Sequence, residues 1–141
     1  MATFNFVNDF SQQLAKGTHI FGTHTFNAVL TNTAPIATNT QYSNLTDLTT
    51  AGGYTAGGYT IGTITVGVGG AAQTAKISVS ADPVLTASGA IGPFRYVAII
   101  NNTATNKNIV GWLDYGSAIT MAAAETFTLD FDQTNGWFTV N

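Results

Sequence analysis

The stretch PFRYVAIINNTATNKNIVGWLDYG, residues 93–116, predicts two antiparallel strands joined by a polar loop. Residues 96–100 are almost entirely apolar, as expected of a strand that is buried on both faces. Residues 101–108 are polar, and Val110, Trp112 and Leu113 then return as a second apolar run. This segment therefore favours a β-sheet core over a helical one.

A second hairpin is predicted in TFTLDFDQTNGWFTV, residues 126–140. Phe127, Leu129 and Phe131 alternate with Thr and Asp, which is the period of a half-buried strand. Asn135-Gly136 offers a turn with positive φ before the chain returns.

Short β-branched and aromatic runs continue through most of the chain and are separated by Gly, Asn, Pro and Asp, which indicates an all-β protein. We predict strands at 25–32, 59–67, 74–81, 84–88, 94–101, 108–115, 126–132 and 136–140. We predict one domain over residues 1–141, a β-sandwich of jelly-roll type.

The N-terminal segment, residues 1–24, is expected to form a helix and an arm. Phe6, Phe10 and Leu14 are four residues apart, so they predict one apolar stripe on a helix over 4–16. The segment 33–58 is expected to be a long loop before the third run of strands. Its residues 33–50 contain enough apolar side chains to be ordered against the sandwich or a neighbouring subunit.

Charge is scarce: 8% of residues are charged, with seven acidic and four basic residues among 141. An ordinary soluble protein carries about 25%, so the surface must consist largely of hydroxyl and amide groups. The basic residues are scattered, which argues against nucleic-acid binding. We expect a protein made in the cytoplasm, without a membrane span, because residues 1–17 lack the pattern of a signal peptide and no run of 18 apolar residues occurs.

The sequence predicts no catalytic residues, no cofactor and no metal. Cysteine is absent, and His19 and His24 are five residues apart, a spacing that opposes a shared metal unless Gly22 folds the chain back. Asp130 and Asp132 form a weak cation motif, for which an Asx-type turn at Asp132 is the simpler interpretation.

The tandem repeat AGGYTAGGYT, residues 51–60, has neither the spacing nor the lysine of a phosphate-binding loop. We interpret it as a glycine turn that leads into a strand. Tyr54 and Tyr59 are expected to point in opposite directions, and one copy of the repeat is expected to be dispensable for folding.

Four segments together carry a resemblance to a known group: residues 30–48, LTNTAPIATNTQYSNLTDL; 52–60, GGYTAGGYT; 87–121, ASGAIGPFRYVAIINNTATNKNIVGWLDYGSAITM; and 124–140, AETFTLDFDQTNGWFTV. The chain resembles small virion proteins of tailed bacteriophages, some of them similar to capsid cement, or head decoration, proteins. The resemblance implies a structural protein of the virion, not an enzyme, that binds the major capsid protein on the outer surface of the head. A tail, fibre or baseplate component is the alternative.

Capsid sites have threefold or twofold symmetry, so a homo-oligomer is expected, with a trimer favoured and a dimer as the alternative. The residues predicted to contact partners lie in the Phe-rich N-terminal segment, the long loop and the glycine repeat. They are Phe4, Phe6, Phe10, Ile36, Tyr42, Tyr54 and Tyr59.

Overall fold

The computed structural model describes residues 2–141 as a predominantly antiparallel β-protein with one short α-helix. The all-β prediction is therefore confirmed. The elements in chain order are β1 (Phe4–Phe6), α1 (Phe10–Ala15), β2 (Phe26–Thr31), β3 (Tyr59–Thr60), β4 (Ile64–Val68), β5 (Ala75–Val79), β6 (Val84–Thr86), β7 (Ile91–Asn101), β8 (Ile109–Met121), β9 (Thr126–Thr128) and β10 (Phe138–Val140).

The strands form three sheets. The largest has five strands in the order β1-β8-β7-β2-β3, the second has three in the order β10-β5-β4, and the third pairs β6 with β9. Buried residues from all three sheets, among them Val97, Ile77 and Phe127, belong to one hydrophobic cluster. The sheets therefore share a single core.

The predicted hairpin at residues 93–116 is confirmed as β7 and β8. Val97 pairs with Leu113 and Ala98 with Trp112. Strand β7 has β8 on one side and β2 on the other, and residues 97–100 are fully buried. Both strands run beyond the predicted bounds, and shifts in their register allow the long ribbon to bend.

The predicted helix over 4–16 is wrong in its first half. Phe4 and Phe6 belong to β1, which pairs with β8 through Phe4–Leu113 and Phe6–Gly111. Two phenylalanines separated by one asparagine also fit the period of a strand, and the free edge of β8 provides backbone partners that a frayed helix end lacks. Only Phe10–Ala15 is helical.

The predicted hairpin at 126–140 is also wrong, although its inward-facing residues are correct. Phe127, Leu129 and Phe131 are buried. The two strands nevertheless join different sheets, since β9 pairs with β6 and β10 pairs with β5. The chain between them is held across the fold by Asp82, whose Oδ1 accepts a hydrogen bond of 2.8 Å from the Phe131 amide.

The run predicted at 59–67 is likewise divided, because β3 joins the five-stranded sheet and β4 the three-stranded one. The segment 33–50 is ordered, as predicted. Its Tyr42 amide donates to the Lys107 carbonyl at 3.0 Å, and its Leu48 amide donates to the Leu30 carbonyl at 3.0 Å. Within residues 2–141, no helix has the length and apolar character needed to cross a membrane.

Candidate partner interface

The carboxylate of Asp47 is the polar centre of the long loop. It accepts hydrogen bonds from the Tyr42 hydroxyl at 2.8 Å, the Tyr54 hydroxyl at 2.5 Å and the Gly57 amide at 2.6 Å. The Tyr54 hydroxyl in turn accepts the Leu30 amide at 3.0 Å. The long loop, the glycine repeat and strand β2 are therefore fastened to one another through a single carboxylate.

Burial and the bond to Asp47 keep the two tyrosines protonated. Together they raise the pKa of Tyr42 to about 12, and they raise the pKa of Tyr54 further still. Both hydroxyls thus remain donors to the carboxylate throughout the neutral range. The arrangement has the character of a structural clamp.

His19 and His24 meet at one side chain, the amide of Asn101. The Asn101 Nδ2 lies 3.3 Å from His19 Nδ1 and 3.0 Å from His24 Nδ1. The turn at 21–24, with Gly22 at φ 88°, folds the chain back and brings the two rings together. This is the exception that the spacing argument had allowed.

The Asn101 side-chain amide is bonded at both its ends. Its Oδ1 accepts bonds from the amides of Thr103 and Ala104, which fixes Nδ2 as the group that faces the rings. Nδ2 also donates to the Thr18 carbonyl at 2.8 Å, so its two hydrogens are shared among this carbonyl and the two Nδ1 atoms. The amide thus joins residues 18–24 to the end of β7.

We expect stability to fall as the pH drops from 6.5 towards 4. Burial lowers the pKa of His19 from 6.5 to about 4, so in this range the unfolded chain binds more protons than the folded one. The contribution is full above pH 6.5, and about 3 kcal/mol of it is lost by pH 4. Urea unfolding of the wild type and of His19→Gln at several pH values measures it. A wild-type pH dependence that persists unchanged in His19→Gln would rule this account out.

Asp132 and Asp114 are occupied by local contacts, whereas Asp130 is exposed. Asp132 Oδ1 accepts the amides of Thr134 and Asn135 at 2.9 and 2.8 Å, which confirms the Asx-type turn and, with the Asn135 side chain, lowers the pKa of Asp132. Asp114 forms a bidentate ion pair with Arg95 at 2.8 and 2.9 Å, which lowers the pKa of Asp114. The carboxylate oxygens of Asp132 and Asp114 therefore stabilise the fold.

An apolar groove lies beside helix α1, between the helix and the three-stranded sheet. Two adjoining concavities share Leu14 and Val140, one reaching Phe6 and the other Ile20 and Val66. Phe6, Ile20 and Val66 are 40%, 45% and 51% exposed. Side chains of this size at such exposure, grouped around one concavity, are typical of a surface that contacts another protein.

The structure places the predicted interface residues in different environments. Phe6 lies at the groove, and Ile36 is exposed on the long loop. Phe4, Tyr42 and Tyr59 are half-buried. Phe10 and Tyr54 are 8% and 1% exposed, so they pack in the interior and are not surface residues. Their aromatic character was read as a sign of contact with a partner, whereas it fills the protein's own core.

Sequence reasoning missed the exposed residues of the groove that lie outside the N-terminal segment. Ile64, Val66 and Val68 follow the same alternating pattern, but Ile64 is 4% exposed whereas Val68 is 88% exposed. An apolar residue that faces the core and one that continues past the edge of the core look alike in sequence. The only available signal was the lack of any charge in TITVGVGG.

Among residues 2–141, no three histidine or acidic side chains are grouped closely enough to hold a metal ion. His19, His24 and Asp132 bind the chain to itself, and the apolar groove with the neighbouring β4 strand is the candidate site of contact. Compared with protein-family models, curated proteins and solved structures, the chain matches none of them significantly.

Proposed function

We propose that the chain is a decoration protein of a tailed-bacteriophage head, which binds the outer surface of the assembled shell and bridges major capsid subunits. The resemblance of the four quoted segments supports this proposal. The observation in the fold that carries it is the combination of a sparsely charged surface with an exposed apolar groove. Such a surface suits proteins that crowd together in many copies, because like charges do not repel one another.

The distribution of charge strengthens this argument. Most ionised side chains are engaged in hydrogen bonds or ion pairs inside the fold; these are Asp9, Asp47, Lys76, Asp82, Arg95, Asp114, Glu125 and Asp132. These bonds do not remove the charge, but the charged groups are few and the net charge is only −3, so repulsion between neighbouring molecules is weak. A chain of this kind is suited to close contact with partners.

The proposal includes a finer fold and an assembly. We assign the three sheets to the layers of a β-sandwich of jelly-roll type, because their buried faces contribute to one core. The protein acts as a homo-oligomer, a trimer or a dimer, since capsid positions have these symmetries. Its location is the virion surface, and it is made in the host cytoplasm.

A receptor-binding form of the alternative, a tail, fibre or baseplate component, would present Trp112, Trp137, Tyr54 or Tyr59 to a host. Tyr54 is buried at 1% exposure, and Tyr59, Trp112 and Trp137 are half-buried. The ring of Trp137 packs against Phe131 with centroids 5.3 Å apart. None of these four side chains is fully exposed, so the head is favoured.

Virions that lack the protein test the proposal. They are expected to assemble but to release DNA at a lower temperature, or more readily on chelation, because the bridges between capsid subunits are missing. Release is measured with a DNA-binding dye during heating, and purified protein added back to the particles should restore the resistance. Heads of unchanged robustness would contradict the proposal, and defective tails or adsorption on such heads would favour the alternative.

A further inference from the structure

Strand β4 has a free edge. It is the last strand of the sheet β10-β5-β4, and its Ile64–Val68 ladder with β5 runs without a register shift. The Gly69 amide donates to Thr74 and the Ser80 amide donates to Thr63, so the odd-numbered residues from 63 to 69 point their backbone groups towards β5. The even-numbered ones point theirs outward.

The outward backbone groups of Val66 and Val68 have no hydrogen-bond partner in the described chain, residues 2–141. Exposed strand edges attract other strands, and proteins usually protect them with charges, prolines, bulges or short length. Strand β4 has no charge, no proline and no bulge. With five residues, it is also longer than the other strands at the sheet edges, which have two or three.

The side chains of β4 add an apolar component to this edge. Val66 and Val68 are 51% and 88% exposed, and they lie on the same face of the sheet as Ile64, which is buried in the core. This face of the core therefore continues onto the surface beside the free edge. A partner that pairs with the edge would also cover these two valines.

We propose that β4 pairs antiparallel with β4 of a second copy of this chain, across a twofold axis at Gly67. Val66 then exchanges hydrogen bonds with Val68 of the partner subunit, and Val68 exchanges them with the partner subunit's Val66. The two three-stranded sheets become one sheet of six strands. A strand paired antiparallel with itself is self-complementary, which is the requirement of a twofold interface.

The surroundings of the edge favour this axis position. Near Ile64, the neighbouring turn approaches the strand: a Cβ placed on Gly22 would lie 3.7 Å from the Ile64 carbonyl oxygen and 3.7 Å from the Val66 Cγ2. A Cβ placed on Gly67 would meet nothing within 4 Å, so no other part of the described chain packs against that residue. The inference depends only on this edge and stands whether or not the protein coats a capsid.

Mass in solution and amide exchange test the pairing together. Sedimentation is expected to give twice 14.7 kDa for the wild type. The Val66 and Val68 amides should be protected only in the dimer, whereas those of Thr65 and Gly67, which face β5, should be protected in monomer and dimer alike. Val66→Lys is expected to weaken dimerisation at least tenfold, about 1.4 kcal/mol or more, because it places like charges on both sides of the axis.

Val84→Lys is the matched control, since Val84 is 55% exposed on β6, in a different sheet. It should leave the dimer intact, and thermal unfolding shows whether both variants are folded. A wild type that stays monomeric or sediments as a trimer would overturn the proposal. So would a dimer that Val66→Lys leaves unchanged or Val84→Lys disrupts equally, or one in which the Val66 and Val68 amides exchange freely.

Discussion

Replacing Asp47 with alanine is expected to lower the free energy of unfolding by about 3 kcal/mol. The substitution removes the acceptor shared by the Tyr42 hydroxyl, the Tyr54 hydroxyl and the Gly57 amide. Because Tyr54 is 1% exposed, its hydroxyl would lose this partner without gaining full access to water. Urea unfolding followed by circular dichroism measures the change.

Asp130→Ala is the matched control for this prediction. Asp130 is an exposed carboxylate that makes no side-chain hydrogen bond in the described chain, so its removal should change stability by less than about 0.5 kcal/mol. Equal effects of Asp47→Ala and Asp130→Ala would show that the clamp does not stabilise the fold.

Alkaline pH tests the same clamp by a different route. The raised pKa values of Tyr42 and Tyr54 mean that the folded chain keeps protons that the unfolded chain loses above pH 10. Their contribution to stability is thus full below pH 10 and falls as the pH rises above 10, with the part due to Tyr42 lost as the pH passes 12. In Tyr54→Phe this alkaline loss should be smaller, whereas a loss of the same size would exclude Tyr54 as its source.

Gly58→Ala is expected to lower the free energy of unfolding by about 3 kcal/mol or more. Gly58 has φ 83°, and a Cβ there would overlap the carbonyl oxygen of Ala28. Ala28 lies in β2 and pairs with Tyr59 of β3, so relief of the overlap would separate these strands. The free energy of unfolding in urea measures the effect.

The neighbouring residue, Gly57, provides the control. Its φ is 98°, but a Cβ on it would meet nothing within 4 Å. Gly57→Ala should therefore cost only the backbone strain of a left-handed alanine, about 1 kcal/mol. If the two substitutions destabilise the protein equally, close packing of Gly58 against β2 is not the reason for its glycine.

These glycines also change the interpretation of AGGYTAGGYT. The sequence suggested a flexible turn with one dispensable copy, because the two copies are identical. In the structure they have different roles: Tyr54 of the first copy is clamped by Asp47, whereas Tyr59 of the second pairs with β2. Deletion of either copy would remove one of these attachments, so we now expect it to impair folding.

What the sequence revealed is mainly which side chains are buried. The β7–β8 hairpin was predicted correctly because its strands are adjacent in the chain and joined by an evident loop. The alternation of Phe127, Leu129 and Phe131 also identified inward-facing residues correctly. Strand period fixes the face of a side chain but not the pairing partner, so the separation of β9 from β10 was not visible.

Contacts between distant segments account for the remaining differences. The two rings of His19 and His24 are brought together by contact with Asn101, about 80 residues away in the chain. Arg95 meets Asp114 only because β7 and β8 pair in a particular register. Likewise, Val68 is exposed and Ile64 is buried because the rest of the core ends between them. The local sequence pattern contains no information about these two contacts or about this difference in exposure.

The copy number of the chain in purified virions tests the proposed function most directly. Quantitative mass spectrometry, with the major capsid protein as the internal reference, gives this number. A decoration protein should be present at a fixed ratio to the capsid protein, on the order of hundreds of copies in each particle, because every symmetry-related site on the shell is occupied. A few copies or a few dozen in each particle, or none, would contradict the proposal that this chain coats the head.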